Sequence, residues 1–147
     1  MNYLKLLTPA MATILLGAAA LSPLSPLAMA QSDRVATTAG GVPYVSGGIG
    51  TTSTERLNSL AGDFNLKLVF ALKAGDYLSG IEVTIADANG KTLLKTRSEG
   101  PWLLTRLPPG NYQIVASFAG NAERRTVAIG TEKLQTVDFR WASEVRN

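Results

Sequence analysis

The feature that most constrains this fold is an alternation of apolar and polar residues that begins at Asn65. In the run NLKLVFALK, Leu66, Leu68, Phe70 and Leu72 lie on one side of an extended chain, and the residues between them lie on the other. The same period of two recurs in IEVTIA, YQIVASF and LQTVDFRW. Because a period of two is typical of strands with one buried face, residues 64–142 are predicted to form β-sheets.

Turn residues separate these runs at regular intervals. Asp87 to Gly90 reads as a hairpin turn, since Asn-Gly tolerates positive φ, and Pro108 to Asn111 is a second strong turn signal. The spacing predicts seven short strands in an antiparallel sandwich over 64–142, followed by a tail over 143–147. No helix of crossover length separates the strands, which argues against a parallel sheet.

A short helix is predicted just before the first of these strands. Thr52 and Glu55 have the S/T-x-x-E spacing of a capping box, and Leu57 and Leu60 fall on one helical face. Gly62 stands where a helix ends in left-handed geometry. We therefore expect about two turns of helix near 53–61, within a segment 51–63 whose leucines rest on the sandwich.

The segment GGVPYVSGGIG, residues 40–50, lies in a glycine-rich stretch that we interpret as a flexible arm over 31–50. Its glycines suggest a phosphate-binding loop, but that motif needs a lysine, and Lys67 is the first lysine after it. A dinucleotide-binding turn would need a third glycine, which is missing. The apolar run VPYV is predicted to lie against the domain along a sheet edge.

Residues 1–30 have the pattern of a secretory leader. One lysine precedes an apolar run of about a dozen residues, shorter than the roughly 20 that cross a membrane. Ala28 and Ala30 form a small-x-small cleavage site, so cleavage is expected between Ala30 and Gln31. An uncleaved anchor is the alternative. The sequence has no cysteine to carry a lipid, so the expected location is periplasmic or secreted.

Composition narrows the chemistry that this chain can perform. It has no cysteine and no histidine, which removes the usual zinc, copper and haem ligands and the commonest general base. The formal net charge is +3, and the longest basic run is Arg124-Arg125, so no cluster for nucleic-acid phosphates is present. We expect no cofactor, no metal and no nucleic acid, and contact with a membrane only through the leader during export.

The stretch from Gly80 to Gly120 resembles a known family. It reads GIEVTIADANGKTLLKT, a turn, and then GPWLLTRLPPGNYQIVASFAG. This is similar to carboxypeptidase regulatory-like domains, which have a prealbumin-like (transthyretin-like) seven-stranded Greek-key sandwich, as in small exported proteobacterial proteins. The family element L-x-P-G-x-Y is matched by Leu107, Pro108, Pro109, Gly110 and Tyr112.

The resemblance implies a module that stabilises, spaces or binds rather than one that catalyses. An enzyme branch of the wider group depends on histidines and a different C-terminal motif, and this chain has neither. Independently of the family, Pro109 and Gly110 form a turn from which Tyr112 begins a core-facing strand, with its hydroxyl expected to bond nearby backbone.

Aromatic residues are the remaining candidates for a binding site. Phe70, Tyr112, Phe118 and Phe139 lie on apolar faces and are expected in the core. Tyr44, Tyr77 and Trp102 lie in the arm or beside turns, where exposed rings could bind a peptide or a glycan. Two functions follow as hypotheses, and an enzyme with unusual catalytic residues is not expected. The first is a non-catalytic periplasmic module that binds or supports an envelope protein. The alternative is a carbohydrate- or peptidoglycan-binding module.

Overall fold

The computed structural model describes residues 33–131 and 133–142. The predicted leader, its cleavage site at Ala30 and Gln31, and the tail over 143–147 lie outside the described residues. The strands are β1 (Ala36–Thr37), β2 (Pro43–Gly47), β3 (Leu66–Leu72), β4 (Glu82–Asp87), β5 (Thr92–Arg97), β6 (Trp102–Thr105), β7 (Gly110–Phe118), β8 (Asn121–Ile129) and β9 (Gln135–Trp141). Helix α1 (Gly50–Leu60) continues into a 3-10 helix (Ala61–Asp63).

The strands form two sheets that enclose one main core. The larger sheet has the order β1-β2-β6-β3-β9, and the smaller has the order β5-β4-β7-β8. Phe70 and Phe139 from the larger sheet join Ile85 and Ile114 from the smaller one in a single cluster, and all four are fully buried. The prediction of an all-β sandwich with one short helix is confirmed. It succeeded because β3, β4 and β7 alternate core-facing apolar residues with residues on the outer face.

The strand count and the pairing differ from the prediction in two respects. Nine strands are present in the described residues rather than seven, because residues 36–47 of the predicted arm supply β1 and β2. The sandwich is also not purely antiparallel, since β3 and β9 pair in parallel over Leu66–Leu72 and Gln135–Trp141. No dedicated crossover helix is needed, because the strands β4 to β8 themselves carry the chain from one partner to the other.

The predicted docking of VPYV is confirmed. Strand β2 pairs antiparallel with β6, placing Val45 opposite Leu104 and Tyr44 opposite Thr105. Val42 is buried in the main core, whereas Val45 belongs to a second cluster with Leu57 and Leu104. The arm over 31–50 is therefore not simply a lead-in to the sandwich, because its apolar residues are buried on both faces of the larger sheet.

Helix α1 lies on the outer face of that sheet through Leu57, which is fully buried. The predicted capping box is wrong, because the helix begins at Gly50 and Thr52 is already inside its first turn. Ile49 occupies the N-cap position and makes no side-chain cap. The hydroxyl of Ser53 instead accepts a hydrogen bond from the Gly48 amide at 2.7 Å, so the bond lies one residue before the N-cap. In the described part of the chain, no helix is long and apolar enough to cross a membrane.

The chain bends at Pro109, but Gly110 and Asn111, which were predicted to belong to the turn, are already part of β7. The predicted hydrogen bond from Tyr112 to nearby backbone is present. The Tyr112 side chain is buried, and its hydroxyl donates a hydrogen bond to the Pro108 carbonyl oxygen at 2.6 Å. Burial raises the pKa of this hydroxyl, with a smaller contribution from the charge of Asp87. The turn residues are thus linked to the core by their own tyrosine.

Replacing Tyr112 by phenylalanine is expected to lower the free energy of unfolding by about 1 kcal/mol, because one buried hydrogen bond is lost while the ring still packs. Urea denaturation at neutral pH measures the change. Tyr77→Phe is the matched control, since the Tyr77 hydroxyl has no hydrogen-bond partner among the described residues. Equal stability of the Tyr112 variant and the wild type would contradict the structural role of this hydrogen bond.

Side chains of β9 close one flank of the sandwich over the edge strand β8. The Gln135 amide nitrogen donates to the Ala128 carbonyl oxygen at 2.6 Å, and the Trp141 indole donates to the Asn121 carbonyl oxygen at 3.0 Å. Between these two bonds, the guanidinium of Arg125 lies over the Phe139 ring, 5.1 Å from its centroid. The two sheets are therefore joined across this flank by side chains rather than by a strand.

Candidate functional site

Three separate segments of the chain surround an apolar cleft of about 330 Å³ at one end of the sandwich. They are residues 48–50 at the junction of β2 and α1, residues 77–79 in the loop between β3 and β4, and Pro101 before β6. We call this the Ile49–Tyr77 cleft. The side chains of Ile49 and Tyr77 are each 64% exposed. Among the described residues, Val35 is the one other large hydrophobic side chain that is exposed, at 47%.

Backbone hydrogen bonds to Phe70 hold two of these segments in place. The Phe70 amide donates to the Pro101 carbonyl oxygen at 2.9 Å, and the Phe70 carbonyl oxygen accepts from the Leu78 amide at 3.0 Å. Tyr77 itself forms a bridge with Ala71. Because Phe70 is in the middle of the core, the cleft is built on the most buried part of the larger sheet.

The third segment depends on a glycine at position 48. Gly48 has a φ of +100°, and a Cβ atom there would lie 3.1 Å from the Trp102 ring. Any larger residue would therefore face both backbone strain and a collision with the indole. Glycine at this position lets the chain turn sharply out of β2, so that Ile49 is presented at the mouth of the cleft.

The structure brings two of the three predicted aromatic residues close to the same place. Tyr77 lines the cleft, and Trp102 packs against Gly48, whose backbone also lines it. Tyr44 does not belong to this site. It is half-buried against the main core and borders a separate small cavity with Arg34 and Arg97.

Trp102 is held by its neighbours rather than left open as a platform. The Lys67 ammonium lies 3.5 Å from the centroid of the indole ring, and the ring packs against the second cluster beneath α1. Burial lowers the pKa of Lys67, while the negative charge of Asp138 opposes that shift. A cation–π contact of this kind orders the indole at the base of the site.

Ile49 is the site residue that the sequence interpretation missed. Exposed aromatic rings are the usual signal of a binding surface, and an isoleucine in a glycine-rich stretch is usually a packing residue. A signal was nevertheless present in the sequence, because Ile49 has a glycine on each side. Neither flanking residue has a side chain that could cover it.

A polar network near the cleft fixes the start of the described chain. The Ser53 hydroxyl donates to the Asp33 carboxylate, and the Arg56 guanidinium donates to the Asp33 carbonyl oxygen at 2.8 Å. The Asp33 amide donates to the Ser46 carbonyl oxygen at 2.8 Å. These bonds connect Asp33 to both β2 and α1, so the arrangement holds segments of the chain together. Across residues 33–131 and 133–142, no group of three or more acidic side chains is arranged to hold a metal.

Comparison with known proteins gives no relative from which a function can be taken. No protein-family model matches the chain, and no curated protein matches it significantly in sequence.

Proposed function

We propose that this protein is a non-catalytic, exported β-sandwich module that binds an envelope protein through the Ile49–Tyr77 cleft. One observation carries the proposal: two of the three large exposed hydrophobic side chains in the described residues border the same cavity. Single exposed apolar side chains are normal on a soluble protein, whereas a pair around a concave site is typical of an interface.

The cleft suits an extended segment of a partner that inserts one apolar side chain. Tyr77 and Ile49 stand on either side as anchors, and Leu78 and Pro101 supply an apolar wall. The hydrogen bonds from Phe70 hold the loop residues before a partner arrives, so little conformational entropy is lost on binding. Loops held on a rigid sheet are a common place for binding residues.

The sequence supports the compartment and the family that we propose. The leader pattern over 1–30 favours export, and the absence of histidine and cysteine favours binding over catalysis. Without β1 and β2, seven strands are left, three in one sheet and four in the other. That number supports the proposal of a prealbumin-like Greek-key domain of the carboxypeptidase regulatory-like type, with the arm as an addition to it.

Replacing Tyr77 by alanine is expected to weaken partner binding at least about tenfold, because truncation of an interface anchor usually costs more than about 1.4 kcal/mol. A photo-crosslinking phenylalanine analogue at position 77 first identifies the bound protein in envelope extract. The affinity of that purified protein is then measured for the wild type, Tyr77→Ala and Ile49→Ala.

Val35→Ala is the matched control, since Val35 is 47% exposed but does not line the cleft. Binding should be unchanged in this variant, and the crosslinker at position 35 should give no adduct with the same protein. Equal crosslinking at positions 35 and 77, or an unchanged affinity after Tyr77→Ala, would remove the cleft as the binding site.

The second candidate function is carbohydrate or peptidoglycan binding, favoured by the exposed ring of Tyr77 in a cleft that Ser79 also lines. It has less support, because Trp102 is covered by Lys67 and Tyr44 lies elsewhere. Soluble peptidoglycan fragments distinguish the two functions. Saturable binding of the fragments that Tyr77→Ala abolishes, without a crosslinked protein, would favour the glycan.

A further inference from the structure

We propose that a second cavity at the same end of the sandwich binds a phosphate or carboxylate group. This basic cavity has a volume of about 440 Å³ and lies beside the ends of β3 and β9, next to the β7–β8 turn. The residues that matter are Lys73, Asn121, Glu123, Arg140 and Trp141. It is separate from the Ile49–Tyr77 cleft, which lies on the other side of β3, next to β6.

The charge balance of the cavity favours an anion. Lys73 and Arg140 bring two positive charges, and both side chains are exposed at its wall. In the described residues neither takes part in an ion pair. Among the described residues that line the cavity, Glu123 is the one carboxylate, and Arg125 is 3.4 Å from it. The charge of Glu123 is therefore balanced by an arginine outside the cavity lining, and the positive charges of Lys73 and Arg140 can interact with a ligand.

The strand register places these two cations side by side. In the parallel pair β3–β9, Ala71 is opposite Arg140 and Leu72 is opposite Trp141. The Lys73 amide then donates to the Trp141 carbonyl oxygen at 2.7 Å, so Lys73 follows directly in the same pairing. Because successive side chains of a strand point to opposite faces, Ala71 and Lys73 lie on the same face of the larger sheet. Arg140, the partner of Ala71 in β9, lies on that face too.

The opposite wall is held in place by Trp141. Its indole donates to the Asn121 carbonyl oxygen at 3.0 Å, and its ring centroid is 5.8 Å from that of Phe118. These contacts fix the β7–β8 turn, and with it the position of Asn121 at the cavity wall. An amide donor and two cations around one space match the oxygens of a phosphate or carboxylate.

The cavity volume falls within the range of small-molecule sites. The same oxyanion chemistry is offered by a free phosphate ester and by the headgroup of an anionic lipid, and the experiment has one arm for each. The first arm titrates the isotope-labelled full chain with sodium phosphate at constant ionic strength and follows backbone amide shifts by NMR. Saturable shifts are expected at Gly120, Asn121 and Ala142.

Lys73→Ala and Arg140→Ala are each expected to weaken phosphate binding about tenfold, because each removes a charge-assisted hydrogen bond. The matched control is the double variant Lys95→Ala with Arg124→Ala, which also removes one lysine and one arginine but leaves the cavity intact. All four side chains are exposed, so the variants should keep the dispersed spectrum of the folded protein. Non-saturable shifts, or an equal loss in the control, would overturn the proposal.

The second arm measures cosedimentation with vesicles of phosphatidylglycerol and of phosphatidylcholine. Binding to phosphatidylglycerol alone that is lost in the Lys73 and Arg140 variants identifies a lipid headgroup as the ligand. Phosphate binding without vesicle binding identifies a soluble phosphate compound. Tyr77→Ala should leave both measurements unchanged, so this proposal and the proposed protein-binding function are tested independently.

Discussion

Replacing Phe70 by alanine is expected to lower the free energy of unfolding by about 3–5 kcal/mol, the largest effect of any single substitution considered. Phe70 is fully buried in β3, and its ring centroid is 5.9 Å from that of Phe139. The strand is the inner one between β6 and β9, so the surrounding backbone cannot collapse into the space that the ring leaves. A domain of this size has about 5–15 kcal/mol of stability in total.

Urea denaturation followed by circular dichroism measures the loss. Phe70→Leu is the conservative companion, which keeps an apolar side chain in the site and should lose less than the alanine variant. Phe118→Ala is the positional control, since Phe118 is only half-buried at the edge of the core. A loss below about 1.5 kcal/mol for Phe70→Ala would mean that the core is not closely packed at this ring.

Replacing Gly100 by alanine is expected to lower stability by about 3 kcal/mol, the upper end of the range for overpacking. A methyl group on Gly100 would overlap the carbonyl group of Gly47 and lie 2.9 Å from the Gly47 Cα. Both partners are backbone, so no side chain can rotate away. The end of β2 must therefore move off β6, although the core between the two sheets is untouched.

Hydrogen exchange separates this effect from general unfolding. Amides of β2 should lose protection in Gly100→Ala, whereas those of β4 and β7 should keep it. Gly62→Ala is the matched control, because a Cβ atom there meets nothing within 4 Å and the backbone is not in the left-handed region. Since Gly48 follows directly on Gly47, the Gly100 variant should also weaken binding at the Ile49–Tyr77 cleft. Uniform loss of protection in all strands would contradict this local explanation.

The strands with one buried face could be predicted from the sequence alone. In β3 and β7, core-facing residues such as Leu68, Phe70 and Ile114 alternate with residues on the outer face. A strand of a sandwich needs this pattern, because only every second side chain points into the core. The turn at Pro108 was predicted for the same kind of reason, because its residues restrict φ locally. Local patterns of this type do not depend on which strands are neighbours.

Long-range pairing could not be read in the same way. Strand β2 contains Tyr44, Val45, Ser46 and Gly47. Its glycine is typical of a linker, and the segment is recognised as a strand only through its pairing with β6. The parallel pairing of β3 with β9 connects residues about seventy positions apart, and nothing in either segment specifies direction. The Greek-key order of strand connections stays a prediction.

The candidate site was predictable only in part. Tyr77 was found because an aromatic residue beside a turn is often exposed, and the structure shows it exposed. Trp102, beside a turn, and Tyr44, in the predicted arm, were expected to be exposed as well. Both are half-buried, since each lies within a strand whose neighbours cover it. The cleft itself joins residues 48–50, 77–79 and 101, which become neighbours only after the larger sheet has formed.

The closure of the β8 flank by Gln135 and Trp141 bears on how the protein behaves when it is concentrated. Strand β8 spans nine residues at the edge of its sheet, and a long free edge is a template for fibril nucleation. Two of its carbonyl oxygens are already hydrogen-bonded to these side chains. Colloidal stability thus depends on Gln135 and Trp141 of β9, and Trp141 also forms part of the wall of the basic cavity.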